Sequence, residues 1–481
     1  MYHMNKFNLI FTMNRFFALI LFALSCSGAY AQDELSLARA IEIGLRNNFN
    51  VQIGKLNEDI AKNNNTWGQA GLFPTINLIG NQPNSVVQRK PANPFAVAGK
   101  NISDNLIGQL DAQFTLFDGF LVHLSKERLE KLEELSSGNA RFVMENTVQA
   151  IILGYYQILV QQEQLGVLVK NKTFSKERYD YVKLRKELGS AITFDVLQEQ
   201  NNYLTDSASV LQQEIIIKNQ IRNFNLLLNE NINKTYALTD KIPSENEGYQ
   251  YEDLREKMTK SNTNLRNQYI SQELFRNATN ISESNYAPLV TLNVGANGSL
   301  DKLNANFRTA TGNVLENTVG FVNRDPGQPV YTNVNETALT PLTQTGNSYG
   351  AYANFGLRFT LFNGGQIRRA VESSRIQEKI AQVTTDQLKL SLENDLLATL
   401  DLYNLRRQLV QIAHVRLQAA ELNLSLANER YKNGALSAID LRIVQDSYQR
   451  AALDSLLAIY TGITSRVDLV RLTGGLLDNI Q

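Results

Sequence analysis

Cysteine is almost absent: Cys26 is the only one in the 481-residue chain. That excludes a disulfide within the chain and a zinc site built on several thiolates. Histidine occurs three times, and His123 and His414 stand 291 residues apart with no partner at ligand spacing, so no metal site is expected. Proline is scarce, with nine residues, several of them in two loops, which suits a mostly helical body. No charge sign dominates, with 47 Lys and Arg against 47 Asp and Glu, and nothing suggests a nucleic-acid partner. Past the N-terminus there is no run of about 20 apolar residues, so no membrane helix is expected. A barrel remains open, because alternating strands give only a weak hydropathy signal. No nucleophile elbow, phosphate loop or zinc motif occurs, so neither catalysis nor a cofactor is expected. The many carboxylates lie in helical stretches and read as solvated or paired faces.

What is present begins with a leader. Lys6 and Arg15 precede the apolar run Phe16 to Leu24, and Ala29-Tyr30-Ala31 places small residues before Gln32. Residues 1–31 therefore read as a signal peptide. Without Lys6 and Arg15 the chain keeps 45 basic against 47 acidic residues. Acylation of Cys26, in place of cleavage after Ala31, is the alternative reading.

The dominant feature is a long internal duplication. Phe114-Thr115-Leu116-Phe117-Asp118-Gly119 returns as Phe359-Thr360-Leu361-Phe362-Asn363-Gly364, a shift of 245 residues. At the same shift Arg185 meets Arg430, Gly189 meets Gly434, Asp195 meets Asp440, Gln200 meets Gln445, Tyr203 meets Tyr448 and Leu227 meets Leu472. No insertion interrupts this match, so the two copies must agree in length.

Within each copy the hydrophobic period switches. Leu37, Ala40, Ile41 and Leu45 open a helical pattern that Asn47-Asn48 interrupts and Phe73-Pro74 stops. Then Ile76, Leu78 and Gly80 share one strand face. Leu110, Ala112, Phe114 and Leu116 share another, opposite Gln109, Asp111, Gln113 and Thr115. The second copy repeats this with Val290, Leu292, Val294 and Ala296, then with Phe355, Leu357, Phe359 and Leu361 opposite Asn354, Arg358 and Thr360. Sheets with one apolar and one polar face belong to sandwiches or membrane barrels. Asn-, Ser- and Thr-rich stretches at 81–107 and 298–350 read as loops, and strands are placed near 289–297 and 353–362. Two segments of about 68 residues follow, each about 100 Å of helix at 1.5 Å per residue. Such helices must pack along partners. They end at Gly189 and Gly434, and return helices run over about 194–229 and 438–473. The organisation is thus a leader 1–31, a first repeat 32–229, a linker 230–250, a second repeat 251–473 and a tail 474–481.

Several features together carry a resemblance. They are the Leu37…Ala40-Ile41…Leu45…Asn47-Asn48 opening, Leu72-Phe73-Pro74 before the first strand, two Leu-Phe-(Asp/Asn)-Gly strand exits and two Gly…Asp hairpin tips. In this the chain resembles the TolC-type outer-membrane efflux proteins. The resemblance implies an α+β membrane protein: a trimer whose twelve-stranded outer-membrane β-barrel, four strands per protomer, continues into a twelve-helix periplasmic α-barrel. It implies a passive exit duct in the Gram-negative outer membrane, served by a periplasmic adaptor and by an inner-membrane pump driven by protons or ATP. Drugs or small toxic compounds would be the cargo. The outer channel of type I protein secretion is the nearest alternative, and a soluble periplasmic coiled-coil scaffold the alternative of another class. By the same resemblance Leu188, Gly189, Ser190, Asn433, Gly434 and Ala435 are adaptor-docking tips. Asp195, Asp440, Arg185, Arg430, Tyr203 and Tyr448 are entrance or gate candidates, against ordinary roles as first-turn acids, C-terminal cations and packing aromatics. Gln113, Thr115, Asn354 and Arg358 are candidates for the barrel lining.

Overall fold

The computed structural model describes residues 33–93, 97–243 and 247–477. The expected signal peptide with Cys26, residues 244–246 of the linker and the end of the tail lie outside the described residues. Contacts divide the chain into two compact units. One takes residues up to Ile60, Glu134–Ser271 and those from Gln382 onward, and the other takes Ala61–Glu133 and Gln272–Ala381. The units cut across the two sequence repeats, so each unit draws on both copies.

The first unit is mostly helical, and four of the helices have part of their length in the second. Helices α1 (Leu37–Asn47) and α2 (Phe49–Asn64) open the first copy, and α6 (Tyr251–Ser261) and α7 (Thr263–Ser284) open the second. The long helices are α4 (Leu121–Glu187) and α8 (Gln366–Lys432), each of 67 residues. Their return partners are α5 (Thr193–Leu228) and α9 (Ala438–Leu472). Between α2 and the first sheet strand sits the short α3 (Trp67–Ala70).

The duplicated apolar positions form duplicated cores. Ile151, Tyr155 and Ile158 of α4 are buried with Ile41, Phe224, Leu228 and Ile463. Their equivalents on α8, Leu396, Leu400 and Tyr403, are buried with Leu254, Met258, Leu265 and Leu469. The interruption at Asn47-Asn48 has a structural use. Asn48 Nδ2 donates to the Leu227 carbonyl at 2.8 Å, while its Oδ1 accepts from the Val51 amide. Asn262 does the same in the second copy: Nδ2 donates to Leu472 O at 2.8 Å, and Oδ1 accepts from the Leu265 amide. One side chain therefore starts a helix and satisfies a terminal carbonyl of the return helix.

The linker is more ordered than its composition suggests. Strand β5 (Tyr236–Leu238) pairs in parallel with β1 (Asp33–Leu35). The Tyr155 hydroxyl lies 2.8 Å from both Leu35 O and Asp240 Oδ2 and accepts from the Asp240 amide at 3.2 Å. Burial, aided by the Asp240 charge, pushes this phenol up to about 12.

The second unit holds one antiparallel sheet of β2 (Thr75–Asn81), β3 (Asn84–Arg89), β4 (Gly99–Phe117), β6 (Leu289–Phe321) and β7 (Pro329–Arg358). β2 and β3 pair with β4 in one unbroken register, and the Asn105 amide donates to Pro83 O between them. They are one strand interrupted where Pro83 has no N–H to give. The sheet thus amounts to four strands in the order β2/β3, β4, β6, β7.

Three sequence expectations are corrected here. The loop expected at 81–107 shrinks to the turn between Arg89 and Gly99. The loop expected at 298–350 is mostly a long hairpin, closed by Asp325-Pro326-Gly327 between Phe321 and Pro329. These strands carry only short apolar runs, and ladder bonds and cross-strand hydroxyl pairs tie them further. Examples are Ser85 with Ser103 at 2.7 Å, Ser299 with Ser348 at 2.9 Å and Thr309 with Thr340 at 2.7 Å. The strand placed at 353–362 also ends early, at Arg358, because its neighbour β6 begins at the paired Leu289.

Candidate functional site

The polar face of the sheet gathers the expected lining residues. Thr75, Gln113, Asn293 and Asn354 lie side by side across the four strands. Thr115 is opposite Thr291, and Arg358 ends the same face opposite Leu289. Tyr352 crosses β6 over Gly295, donating to Asp111 Oδ1 at 2.5 Å and accepting from Gln109 Nε2 at 3.0 Å. A Cβ at Gly295 would meet the Tyr352 hydroxyl at 2.5 Å, so glycine is what leaves that passage open. The spacing of Asp111 was visible in the sequence, but its partner, 241 residues away, was not.

The other face is apolar and open. Leu78 is 83% exposed and Phe355 76% exposed, with Ile76, Leu110, Val294 and Leu357 beside them. On β6 this face runs Val290, Leu292, Val294, Ala296, Gly298, Leu300 and then turns to Lys302. That is about 11 residues, the length of a tilted membrane strand. Neither β2/β3 nor β7 has a second strand partner among the described residues. In lipid those edges would leave backbone groups unpaired.

In the first unit the two hairpins end alike. Ser190 N donates to Arg185 O at 2.8 Å and Gly189 N to Lys186 O at 2.9 Å; Ala435 N donates to Arg430 O at 2.8 Å and Gly434 N to Tyr431 O at 3.0 Å. Gly189 and Gly434 take φ of +77° and +74°. This is the left-handed helix ending that favours glycine. A Cβ at either would meet nothing within 4 Å, and Leu188, Asn433 and Ala435 are exposed.

The gate candidates separate. Asp195 accepts from the Ile192 amide at 3.3 Å, and Asp440 accepts from Ser437 Oγ at 2.7 Å, so each acid finishes a helix start. Arg185 folds over its own tip, donating to Ser190 O at 2.9 Å. Arg430 is exposed. Tyr203 stacks on Tyr179 with ring centroids 6.4 Å apart. Tyr448 is buried among Leu424, Ala452 and Phe174, and its hydroxyl accepts from Lys170 at 3.1 Å. The residues that join helices near the tips are others. Arg442 of α9 clasps Asp206 of α5 at 2.6 and 3.0 Å and reaches Asp446 at 2.9 Å. Arg178 and Glu199 form a buried pair at 3.0 Å within the first hairpin. Partners 236 and 21 residues apart carry no local spacing signal, which is why the sequence did not offer them.

Arg178 has more to give. It is 3% exposed, and both terminal guanidinium nitrogens lack a partner among the described residues; so does Oε1 of buried Gln445. All three atoms belong to residues lining a cavity of about 350 Å³, with Phe174, Tyr181, Tyr431 and Leu441. Burial pushes the Tyr431 phenol up.

Among the described residues no helix is long and apolar enough to cross a membrane, and no cluster of metal-binding side chains occurs. His123 lies edge-on to Trp67 at 5.6 Å, and His414 neighbours Gln418 at 3.0 Å.

The chain thus combines an amphipathic four-stranded sheet, whose edges have no partner among the described residues, with paired helical hairpins. The comparisons agree. No family model matches the chain. It is 24% identical over 281 residues to the outer membrane protein TolC of Vibrio cholerae, across 57% of this chain and 60% of that protein. The chain thus matches about three fifths of that relative's length. The transmembrane channel protein CusC superposes with a TM-score of 0.68 at 14% identity, covering 91% of this chain and 92% of that one. The Campylobacter jejuni CmeC outer membrane channel gives 0.66 at 13% identity, over 92% and 88%. The resemblance to TolC-type outer-membrane proteins read from the motifs is borne out in sequence and in fold. The expected outer-membrane placement and the lack of an enzymatic role agree with these relatives.

Proposed function

We propose that the chain is the outer-membrane exit duct of a tripartite export system and works as a homotrimer. The observation that carries this is the sheet: four strands, one lipid-length apolar face, one polar face and two edges without partners among the described residues. Three chains of four strands each give twelve, and joining β7 of one copy to β2/β3 of the next closes the sheet without a free edge. Gln113, Thr115, Asn354 and Arg358 then line the lumen with Asp111 and Asn293. The helices form the periplasmic tunnel. Solutes such as drugs or small toxic compounds pass through without any chemical step, driven by an inner-membrane pump through a periplasmic adaptor.

The tips are the adaptor's docking surface in this reading. Gly189 and Gly434 allow another backbone to come close. Opening at the tips moves one hairpin against the other, and Arg442 with Asp206 is the tie between them. Asp195 and Asp440, repeated by symmetry, give the entrance its acidic character. Purification from outer membranes tests the core of this proposal. A detergent-extracted trimer whose gel migration changes on heating is expected, and a water-soluble monomer would overturn it.

A further inference from the structure

The two strand exits share one turn but not one residue. In the first copy Gly119 and Phe120 both take positive φ, +70° and +66°; in the second Gly364 and Gly365 take +66° and +76°. The following helix starts alike from both. The Leu124 amide donates to Phe120 O at 3.0 Å, and the Arg369 amide to Gly365 O at 3.0 Å. Glycine takes this left-handed conformation freely, whereas a residue with a Cβ is strained in it. The second copy therefore builds the turn without a side chain, while the first holds a phenylalanine there against its backbone preference. Burial within the chain is not what holds it, since Phe120 is 65% exposed.

Its position identifies its surroundings. A register shift in β4 between Thr115 and Phe117 changes the face presented. Thr115 is opposite Thr291 on the polar face, and Phe117 is opposite Val290 on the apolar one. The Phe120 ring lies edge-on to Phe117, with centroids 5.6 Å apart, and to His123 at 6.3 Å. His123 meets Trp67 edge-on at 5.6 Å, and the Lys126 ammonium stands 5.7 Å from the centre of the Trp67 ring. Lys126 in turn donates to Asn65 Oδ1 at 2.7 Å and to Glu130 Oε1. Over the first turns of α4 and the flanking α3, the surface thus passes from the apolar band through aromatic rings to paired ions. That order is the profile of a bilayer boundary, where aromatic side chains set an apolar body toward hydrocarbon and a polar end toward water. β4 has a neighbour on each side, so copies joined at the sheet edges leave this outward face uncovered.

We infer that Phe117, Phe120 and Trp67 form an anchor in the headgroup boundary of the periplasmic leaflet, with phospholipid as its occupant. Phe120 keeps its strained backbone because its ring is covered by lipid. The second copy, with Gly365 at the equivalent turn, has no such ring there. This rests on the barrel reading above, with the helices on the periplasmic side.

Trp67 is the chain's only tryptophan, so its fluorescence reports one place. The full chain is reconstituted in phosphatidylcholine liposomes whose acyl chains carry bromine either near the headgroups or near the chain ends. Trp67 should lose more emission to the shallow bromines than to the deep ones. Trp67→Phe with Phe120→Trp moves the reporter, and the same order is expected. Trp67→Phe with Leu78→Trp places it in the middle of the apolar band and should reverse the order. If the second reporter is untouched by either lipid while the third is quenched, protein or water covers the cluster and the anchor is overturned. If the third is untouched as well, the sheet is not in lipid and the duct reading fails with it. Phe120→Gly separates the lipid contact from packing within the chain. It should melt no lower than the unmodified chain in detergent, because the second copy forms the same turn with Gly365, and it should weaken the shallow quenching of Trp67. A markedly lower melting temperature would assign Phe120 to the chain's own packing and overturn the anchor.

Discussion

The two copies of the repeat agree where they are helical and differ where they are sheet. Helices α4 and α8 have the same length, and the buried Ile151, Tyr155 and Ile158 of the first correspond to the buried Leu396, Leu400 and Tyr403 of the second. The strand hairpins do not correspond: the first turns between Arg89 and Gly99, the second between Phe321 and Pro329, after strands of 33 and 30 residues. Even the shared exit motif behaves differently. Phe114 to Phe117 lies in β4, which has a neighbour on each side, while Phe359 to Phe362 lies past the end of β7. Arms that must run side by side cannot change length separately, whereas a hairpin beyond the lipid can grow without disturbing anything below it. Length is therefore held in common only where both copies cross the same distance.

The largest expected effect comes from a pair that only one copy has. Arg178 and Glu199 correspond to Asn423 and Val444 in the second hairpin. Glu199→Gln removes the charge that Arg178 Nε meets at 3.0 Å and leaves a buried guanidinium unpaired. A loss of about 3–5 kcal/mol is expected, read as a large drop in the melting temperature of the purified protein. Arg185→Ala, which removes only a contact on an exposed tip, should cost no more than about 0.5 kcal/mol. If the two variants melt alike, the burial of the first pair is not what holds that hairpin.

The sheet offers a matched pair on one face of one strand. Val294→Arg places a charge inside the apolar band and should cost about 2–4 kcal/mol, seen as lost assembly into the outer membrane. Asn304→Arg lies on the same face beyond Lys302 and should assemble normally. Equal behaviour would move the lipid boundary away from Leu300. A smaller effect follows at the crossing of Tyr352. Gly295→Ala sets a methyl 2.5 Å from the tyrosine hydroxyl and 2.6 Å from Leu110 O, costing about 1–3 kcal/mol. Gly298→Ala meets only Ser348 O at 3.4 Å and should be mild.

These contrasts also mark what could be read from the amino acids alone. Period-two runs such as Leu110 to Leu116 gave the face and the strand, because one side must be apolar in lipid. Outside the lipid that constraint ends, and Asn-, Ser- and Thr-rich strands such as 84–89 and 305–321 looked like loops. Their pairing depends on a distant partner strand and not on their own pattern. The tips were legible because a helix of fixed length needs a glycine at its end. The ties between hairpins were not, since Arg442 and Asp206 share no local spacing. Asn48 was noticed as an interruption, but its equivalent Asn262 was missed. Each is understood only once its amide is seen against the end of α5 or α9.

Those two asparagines give the next prediction. Each caps a helix and closes a carbonyl of the return helix, so Asn48→Ala and Asn262→Ala should each cost about 0.5–2 kcal/mol, and similar amounts, because the geometry is repeated. Unequal losses would show that the copies are less alike here than their contacts suggest.

The smallest effect at neutral pH falls on Tyr155, whose counterpart is Leu400. Tyr155→Phe removes hydroxyl contacts to Leu35 and Asp240 and should cost about 1 kcal/mol. At high pH the two copies should part further. The Tyr155 phenol is pushed from the ordinary value near 10 up to about 12, chiefly by burial. Its contribution is complete below pH 10 and is lost as pH rises through about 12. Hydrogen exchange of the α4 segment around Tyr155 should therefore accelerate over that range, relative to the α8 segment around Leu400. In Tyr155→Phe this extra alkaline sensitivity should vanish, and its survival would mean that another group near Asp240 is titrating.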